Sequence, residues 1–394
     1  MAASLPSRNP RHPCIRLYPR KVAHAQTRRP THIDSPRFSA YDSALRMTLA
    51  GSIKRILLSG LTLPGIPRLL APLRKGQASI FMLHRFTIRD IGLVGENSEA
   101  LRRSLAYLRR NHFELVGLKE LFRRLSGEGP PVDGAVAFTL DDGYFDQADV
   151  AAPIFAEFDC PATTFVTTGF LDRRLWMWWD KIEVVFQSTR RSTIEVALDG
   201  KLLRYDLGSP PDPSKRSACQ LDFTLKCKRV ADDEKHAAIA RLAAAAEIEL
   251  PEQVSAKYAP MTWEQLRTAE SRGMSFGPHT VTHPVLARAT EGESAREIRE
   301  SWNRLRQMAR DPVPVFCYPN GQLSDFSERE LSVLRELKFA GAVVGTYGHA
   351  SVAAFAAPSG PFKVRRFGLP EDLPHVIQCV SGIERIKELI RGGQ

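Results

Sequence analysis

A chain of 394 residues with 43% hydrophobic and 25% charged content has the composition of a soluble globular protein, long enough for one large α/β domain or two ordinary ones. The net charge of +11 is a property of one end: residues 1–75 carry 14 Lys or Arg against two acids, and the remainder holds 41 basic and 42 acidic residues. A neutral body argues against a nucleic-acid partner, six scattered cysteines without a CxxC argue against a disulfide framework or a cysteine zinc site, and no apolar run reaches the roughly 18 residues of a membrane span.

Residues 1–46 are rich in Arg, Pro and Ser without periodicity and read as disordered, either as a targeting leader or as sequence upstream of a true start at Met47. The apolar, proline-broken stretch 52–73 reads as a packing helix, with peripheral membrane contact as the alternative. The whole of 1–75 is thus expected to be a basic, largely disordered extension, and residues 76–394 the folded domain. Without a convincing secretion signal, the expected location is the cytoplasm.

Structure begins with Ala78–Leu83 (ASIFML), a strand ending at His84. Leu101–Arg110 and Leu118–Leu125 show helical spacing, Ala135–Leu140 is a strand, 149–158 a helix and Ala162–Thr167 a strand. Residues 173–258 differ in character and read as an insertion after the third strand. They hold Trp176, Trp178 and Trp179, a hairpin turn at Leu198-Asp199-Gly200-Lys201 and an alanine-rich helix at 236–247. Thr262 then caps a helix to Arg272 with Gln265 three residues on, and Met274–Phe276 leads to a pair of histidines. Helices at 293–308 and 328–337 alternate with strands at 315–318, 340–344 and 362–367. Seven short strands separated mostly by helices predict an α/β fold with a parallel sheet, open or closed into a barrel.

In such folds the chemistry sits past the C-terminal ends of the strands. His84, the pair Asp141 and Asp142, the pair His279 and His283, Tyr318 and Arg366 all fall at or near such ends. Two adjacent carboxylates repel unless a cation or a proton lies between them. One carboxylate and two imidazoles make three ligands with a position left for water, the composition of hydrolytic zinc sites, and N/O donors also accept cobalt, nickel, manganese or iron. One Asp would then bind the metal while its neighbour takes a proton from bound water. A glycosidase needs two carboxylates facing each other across the sugar, which adjacent residues do not provide.

The combination TLDDG followed by Tyr144, then HTVTHP, then YPNG, resembles the polysaccharide deacetylase family, the NodB homology domain of carbohydrate esterase family four, over roughly residues 78–370. The resemblance implies a distorted (β/α)7 barrel that removes N- or O-acetyl groups from an acetylated glycan with a divalent metal, most often zinc. It makes Asp141 the general base and Asp142, His279 and His283 the ligands. Tyr318 would wall the groove and offer its backbone N–H to the oxyanion. The family's Arg-x-Pro-Tyr stretch is replaced by Phe316-Cys317-Tyr318-Pro319, so the arginine that orients the base is missing there, and Arg366 is the substitute. The general acid of the C-terminal Leu-x-His motif has no clear counterpart. His84 in FMLHRF resembles the Tyr-His element of deacetylases with circularly permuted motifs, with His349 and His375 as runners-up. A non-catalytic sugar-binding barrel is the rival class, and metal content with acetate release separates the two.

Overall fold

The computed structural model describes residues 65–385, apart from residue 253. The segments 1–46 and 52–64 discussed above lie outside the described residues. What is described of the expected extension contains two short helical turns, Ile66–Leu69 and Ala71–Arg74.

Strand β1 (Gln77–Leu83) pairs in parallel with β2 (Val136–Asp142), β2 with β3 (Ala162–Val166) and β3 with β6 (Met274–Pro278). On its other side β1 pairs in parallel with β10 (Phe367–Gly368). β7 (Val315–Cys317) and β8 (Gly341–Val343) form a second parallel pair. Two links join the groups. Val343 bridges Val364, three residues before β10, and Val313 N–H donates to Phe276 O at 2.7 Å across the β6–β7 seam, which has no ladder. The strands therefore run in a circuit of seven, β1-β2-β3-β6-β7-β8-β10, open along one seam. The expected strand 362–367 is not one strand, because its chain changes partner midway: Val364 pairs with β8 and Phe367 with β1. A short β9 (Ala350–Ser351), antiparallel to the start of β1, was not foreseen.

β2 shows how the circuit aims its side chains. Val136, Phe138 and Leu140 enter the large apolar cluster beneath the helices, while Ala137 joins a separate cluster with Ile80, Phe165, Val315, Cys317, Val343 and Val364. The period of two places Thr139 and Asp141 on the same face as Ala137. Strands buried on both faces need apolar residues at nearly every position, so the run VAFTL reads as continuous and not alternating.

Among the described residues the α-helices longer than four residues are α1 (Ser98–Arg110), α2 (Leu118–Leu125), α3 (Ala152–Glu157), α7 (Trp263–Glu270), α8 (Glu291–Met308), α9 (Glu328–Glu336) and α10 (Leu373–Val380), with α4 to α6 in the insertion. The side chain of Asn97 accepts from the Glu99 and Ala100 amides and starts α1 three residues before its periodicity becomes visible. Thr262 with Gln265 and Thr290 with Glu293 form capping boxes at α7 and α8, satisfying donors that a helix start leaves unpaired. The expected helix 149–158 is a π segment, Gln147–Ala151, running into α3.

The insertion has a core of its own. It contains α4 (Trp178–Ser188), the hairpin β4 (Thr193–Leu198) and β5 (Lys201–Asp206), α5 (Pro213–Cys227) and α6 (Asp232–Ala245). Trp178, Ile182, Phe186, Val196, Tyr205, Phe223 and Leu242 pack together there. The hairpin turns at Asp199 and Gly200, both at positive φ (53° and 70°), the conformation a two-residue turn between twisted strands requires.

Candidate active site

Asp141 and Asp142 are the last two ladder positions of β2, opposite Phe165 and Val166. The chain then turns through left-handed residues, with φ of 87° at Asp142 and 93° at Gly143. A Cβ at Gly143 would also meet Leu171 Cδ1 at 2.7 Å, so a side chain there would displace Leu171 in addition to straining the backbone. The turn separates the two carboxylates: Asp141 faces Arg366, and Asp142 faces the histidines.

Arg366 Nη1 and Nη2 donate to Asp141 Oδ1 and Oδ2 at 2.7 and 2.8 Å, a bidentate pair with both side chains buried. The guanidinium is held in place by Val344 O and Thr139 Oγ1, each at 3.1 Å. Burial by itself would raise the Asp141 carboxyl, but the adjacent guanidinium outweighs it and holds the group well below the usual carboxylate range. Asp141 is therefore ionised throughout the physiological range. Cys317 Sγ, 3.5 Å from Asp141 Oδ2 and 3.2 Å from Arg366 Nη2, completes the cluster. Burial pushes its thiol far up, so it is a neutral donor. Its position had no functional signal in the sequence, where it stands as one scattered cysteine among six.

The second cluster is Asp142, His279 and His283. Asp142 Oδ1 lies 3.5 Å from His283 Nε2 and 3.7 Å from His279 Nε2. Those distances are too long for hydrogen bonds. The first falls within, and the second just beyond, the roughly 3.3–3.6 Å expected between tetrahedral ligands held about 2.0–2.2 Å from a metal. His279 Nδ1 is 2.7 Å from Cys317 O, a contact that puts the proton on Nδ1 and leaves the Nε2 lone pair toward Asp142. Burial lowers both imidazole pKa values, that of His283 well below the ordinary range, so both are neutral donors. The residues fit a divalent metal. The other group that could hold an ion, Asp141 with His279 and Cys317, has the Arg366 guanidinium within it and is a poor cation site.

The histidines are joined by a tight turn. Thr280 and His283 are left-handed, with φ of 66° and 60°. His283 N–H donates to Thr280 Oγ1, while Thr168 N–H and Gly169 N–H donate to Thr280 O and Val281 O. From the insertion, Trp179 packs edge-on against His283 with ring centroids 4.6 Å apart, and its indole N–H donates to Tyr144 Oη at 2.9 Å. Of the three tryptophans, Trp178 is core of the insertion, whereas the half-buried Trp179 reaches the site.

His84 follows β1. Burial pushes its pKa down to about 4, with the Asp141 charge raising it and those of Arg366 and His279 lowering it, and Gln147 Nε2 donates to both His84 O and Asp141 O. Its Nδ1 has no hydrogen-bond partner among the described residues. The two runners-up lie elsewhere. His349 is 3.0 Å from Cys379 O, which also accepts from Ser79 Oγ on the N-terminal half of β1. His375 sits in the first turn of α10, 2.7 Å from Asp372. Tyr318 is buried, stacked on Phe326 at 3.7 Å between centroids, so its ring belongs to the core and does not wall a groove. The role expected of its backbone N–H does not depend on the ring.

Residues 237–342 match the family model described as polysaccharide deacetylase. Over that stretch the chain is similar to the polysaccharide deacetylase family. The matched stretch holds His279, His283 and Cys317, and the two aspartates lie upstream of it. The deacetylase PplD of Streptococcus pyogenes is 18% identical, over 78% of this chain and 99% of that one, with a TM-score of 0.49. IcaB of Ammonifex degensii is 15% identical over 78% and 98%, with a TM-score of 0.46. The BpsB deacetylase domain of Bordetella bronchiseptica is 14% identical over 75% and 96%, with a TM-score of 0.43. No curated protein matches. No helix among the described residues is long and apolar enough to cross a membrane.

Proposed function

We propose that this chain is a metal-dependent deacetylase that hydrolyses N-acetyl groups on an amino-sugar polymer, releasing acetate. The observation that carries the reading is the division of labour at the end of β2: one aspartate neutralised by Arg366, the next facing two neutral imidazoles at ligand spacing. Asp142, His279 and His283 would hold zinc, or another divalent ion accepting N/O donors. Such an ion polarises an acetyl carbonyl and acidifies water.

The residues then act on protons. Asp141 keeps lone pairs beyond the two used by Arg366 and takes a proton from the attacking water. The Tyr318 N–H lies after β7, where it can donate to the developing oxyanion. Hydrolysis places one proton on the departing nitrogen, since an amine anion is a very poor leaving group. His84, neutral at rest, works as a relay: it receives the proton that Asp141 removed and passes it to the amine. The insertion brings Trp179 to the metal site, so its surface takes part in choosing the glycan.

Purified protein reconstituted with zinc should release acetate from an N-acetylglucosamine oligomer, lose that activity to a chelator and regain it with zinc. His279→Ala should be inactive and metal-poor, and full turnover in that variant would refute the assignment. For His84→Ala, turnover should fall by roughly 10²–10⁴-fold with zinc content unchanged. The neutral state of His84 favours a second reading, an O-acetyl esterase, because an alkoxide leaves more readily than an amine anion. Acetate release from O-acetylated sugars alone, insensitive to His84→Ala, would select it.

A further inference from the structure

Glu297, on α8, is 5% exposed, and no lysine or arginine is paired with it among the described residues. A buried, unpaired carboxylate is costly unless hydrogen bonds satisfy it. All of its hydrogen bonds among the described residues go to one place. Oε2 accepts the Val281 N–H at 2.7 Å and the Thr282 N–H at 2.9 Å, and Oε1 accepts the Thr282 hydroxyl at 2.8 Å. Val281 and Thr282 are the middle of the His279–His283 turn, and they carry no ligand atom themselves.

We propose that Glu297 is a positioning residue for the two histidines, a clamp that sets the peptide planes between them and thereby the direction of His283 Nε2. The inference rests on the metal-centre reading above. The carbonyl side of the same turn is held from the other direction, Thr280 O by the Thr168 N–H and Val281 O by the Gly169 N–H. With Glu297 removed, the turn stays tethered by its carbonyls and by the His283 N–H on Thr280 Oγ1, but the Val281 and Thr282 amides lose their acceptor. The two left-handed residues of the turn, Thr280 and His283, then lose one of the restraints on their backbone angles. The expected effect falls on metal affinity before it falls on the fold.

The experiment compares zinc affinity of metal-free wild type, Glu297→Ala, Glu297→Gln and Glu297→Asp by competition with a chromophoric chelator. The cobalt-substituted visible spectrum reports ligand geometry independently of activity. Glu297→Ala should bind zinc roughly 10–100-fold more weakly and shift the cobalt bands. Glu297→Gln keeps the reach and one oxygen for both amides, and should recover most of the loss. Glu297→Asp keeps the charge but is one methylene short, and should stay weak. This pair decides the matter even if the alanine variant does not fold. Wild-type affinity in Glu297→Ala, or the reverse order with Asp tight and Gln weak, overturns the clamp while leaving the metal centre intact. A wild-type protein that takes up no zinc overturns both.

Discussion

Asp141→Asn should keep its fold and its zinc while losing turnover by roughly 10²–10⁴-fold, the contribution typical of a positioned general base. Asparagine preserves the shape and one acceptor for Arg366, and it leaves Asp142, His279 and His283 untouched. The neighbouring Asp142→Asn should instead lose zinc. Acetate release and metal content measured on the two variants therefore give opposite signatures for residues adjacent in sequence. Loss of zinc in Asp141→Asn with retention in Asp142→Asn would exchange the roles assigned to them.

Arg366→Met should have the largest effect on stability. Removing one partner of a buried ion pair leaves an uncompensated charge and costs about 3–5 kcal/mol. Here that charge is Asp141, whose buried carboxylate would keep the Cys317 thiol as a hydrogen-bond donor, with His84 and His279 nearby. Without the guanidinium, burial raises the folded-state pKa of Asp141 above its unfolded value. A raised carboxyl contributes stability below the unfolded pKa and loses it as pH rises through the folded pKa. The deficit of Arg366→Met relative to wild type should therefore be greatest near pH 7 and shrink toward about pH 4. Chemical denaturation of both proteins across that range tests it. A deficit independent of pH would mean that packing and not charge is lost. The double variant Asp141→Asn with Arg366→Met should recover part of the stability, because it removes the orphaned carboxylate.

Much of this was legible in the chain. Parallel strands buried on both faces leave apolar runs that stop where the chain meets the site, so VAFTLDDG marks both a strand and its functional end. Capping boxes are local in sequence, and Thr262 with Gln265 was readable for that reason. Other elements were not. The segment 362–367 has the composition of one strand but serves two partners, and pairing is decided by neighbours far away in the chain. Helix α5 and the first turn of α4 carry mixed polarity because the insertion buries them against its own small core.

The sequence by itself determined the alternation of strands and helices, the basic character of residues 1–75, and the presence of the Asp141–Asp142 and His279–His283 pairs. Short-range chemistry suffices for these, since periodicity, turn residues and charge are written locally. Tertiary structure decided which residues meet. Arg366 reaches Asp141 from 225 positions away because β10 closes onto β1 and the two inward faces coincide. Cys317 becomes part of the site, Tyr318 part of the core, and Trp179 a neighbour of His283, by side-chain direction alone. The left-handed turn at Asp142 and Gly143 sends adjacent carboxylates to different partners. Such assignments depend on long-range packing and backbone angles, for which two adjacent letters in a sequence carry no signal.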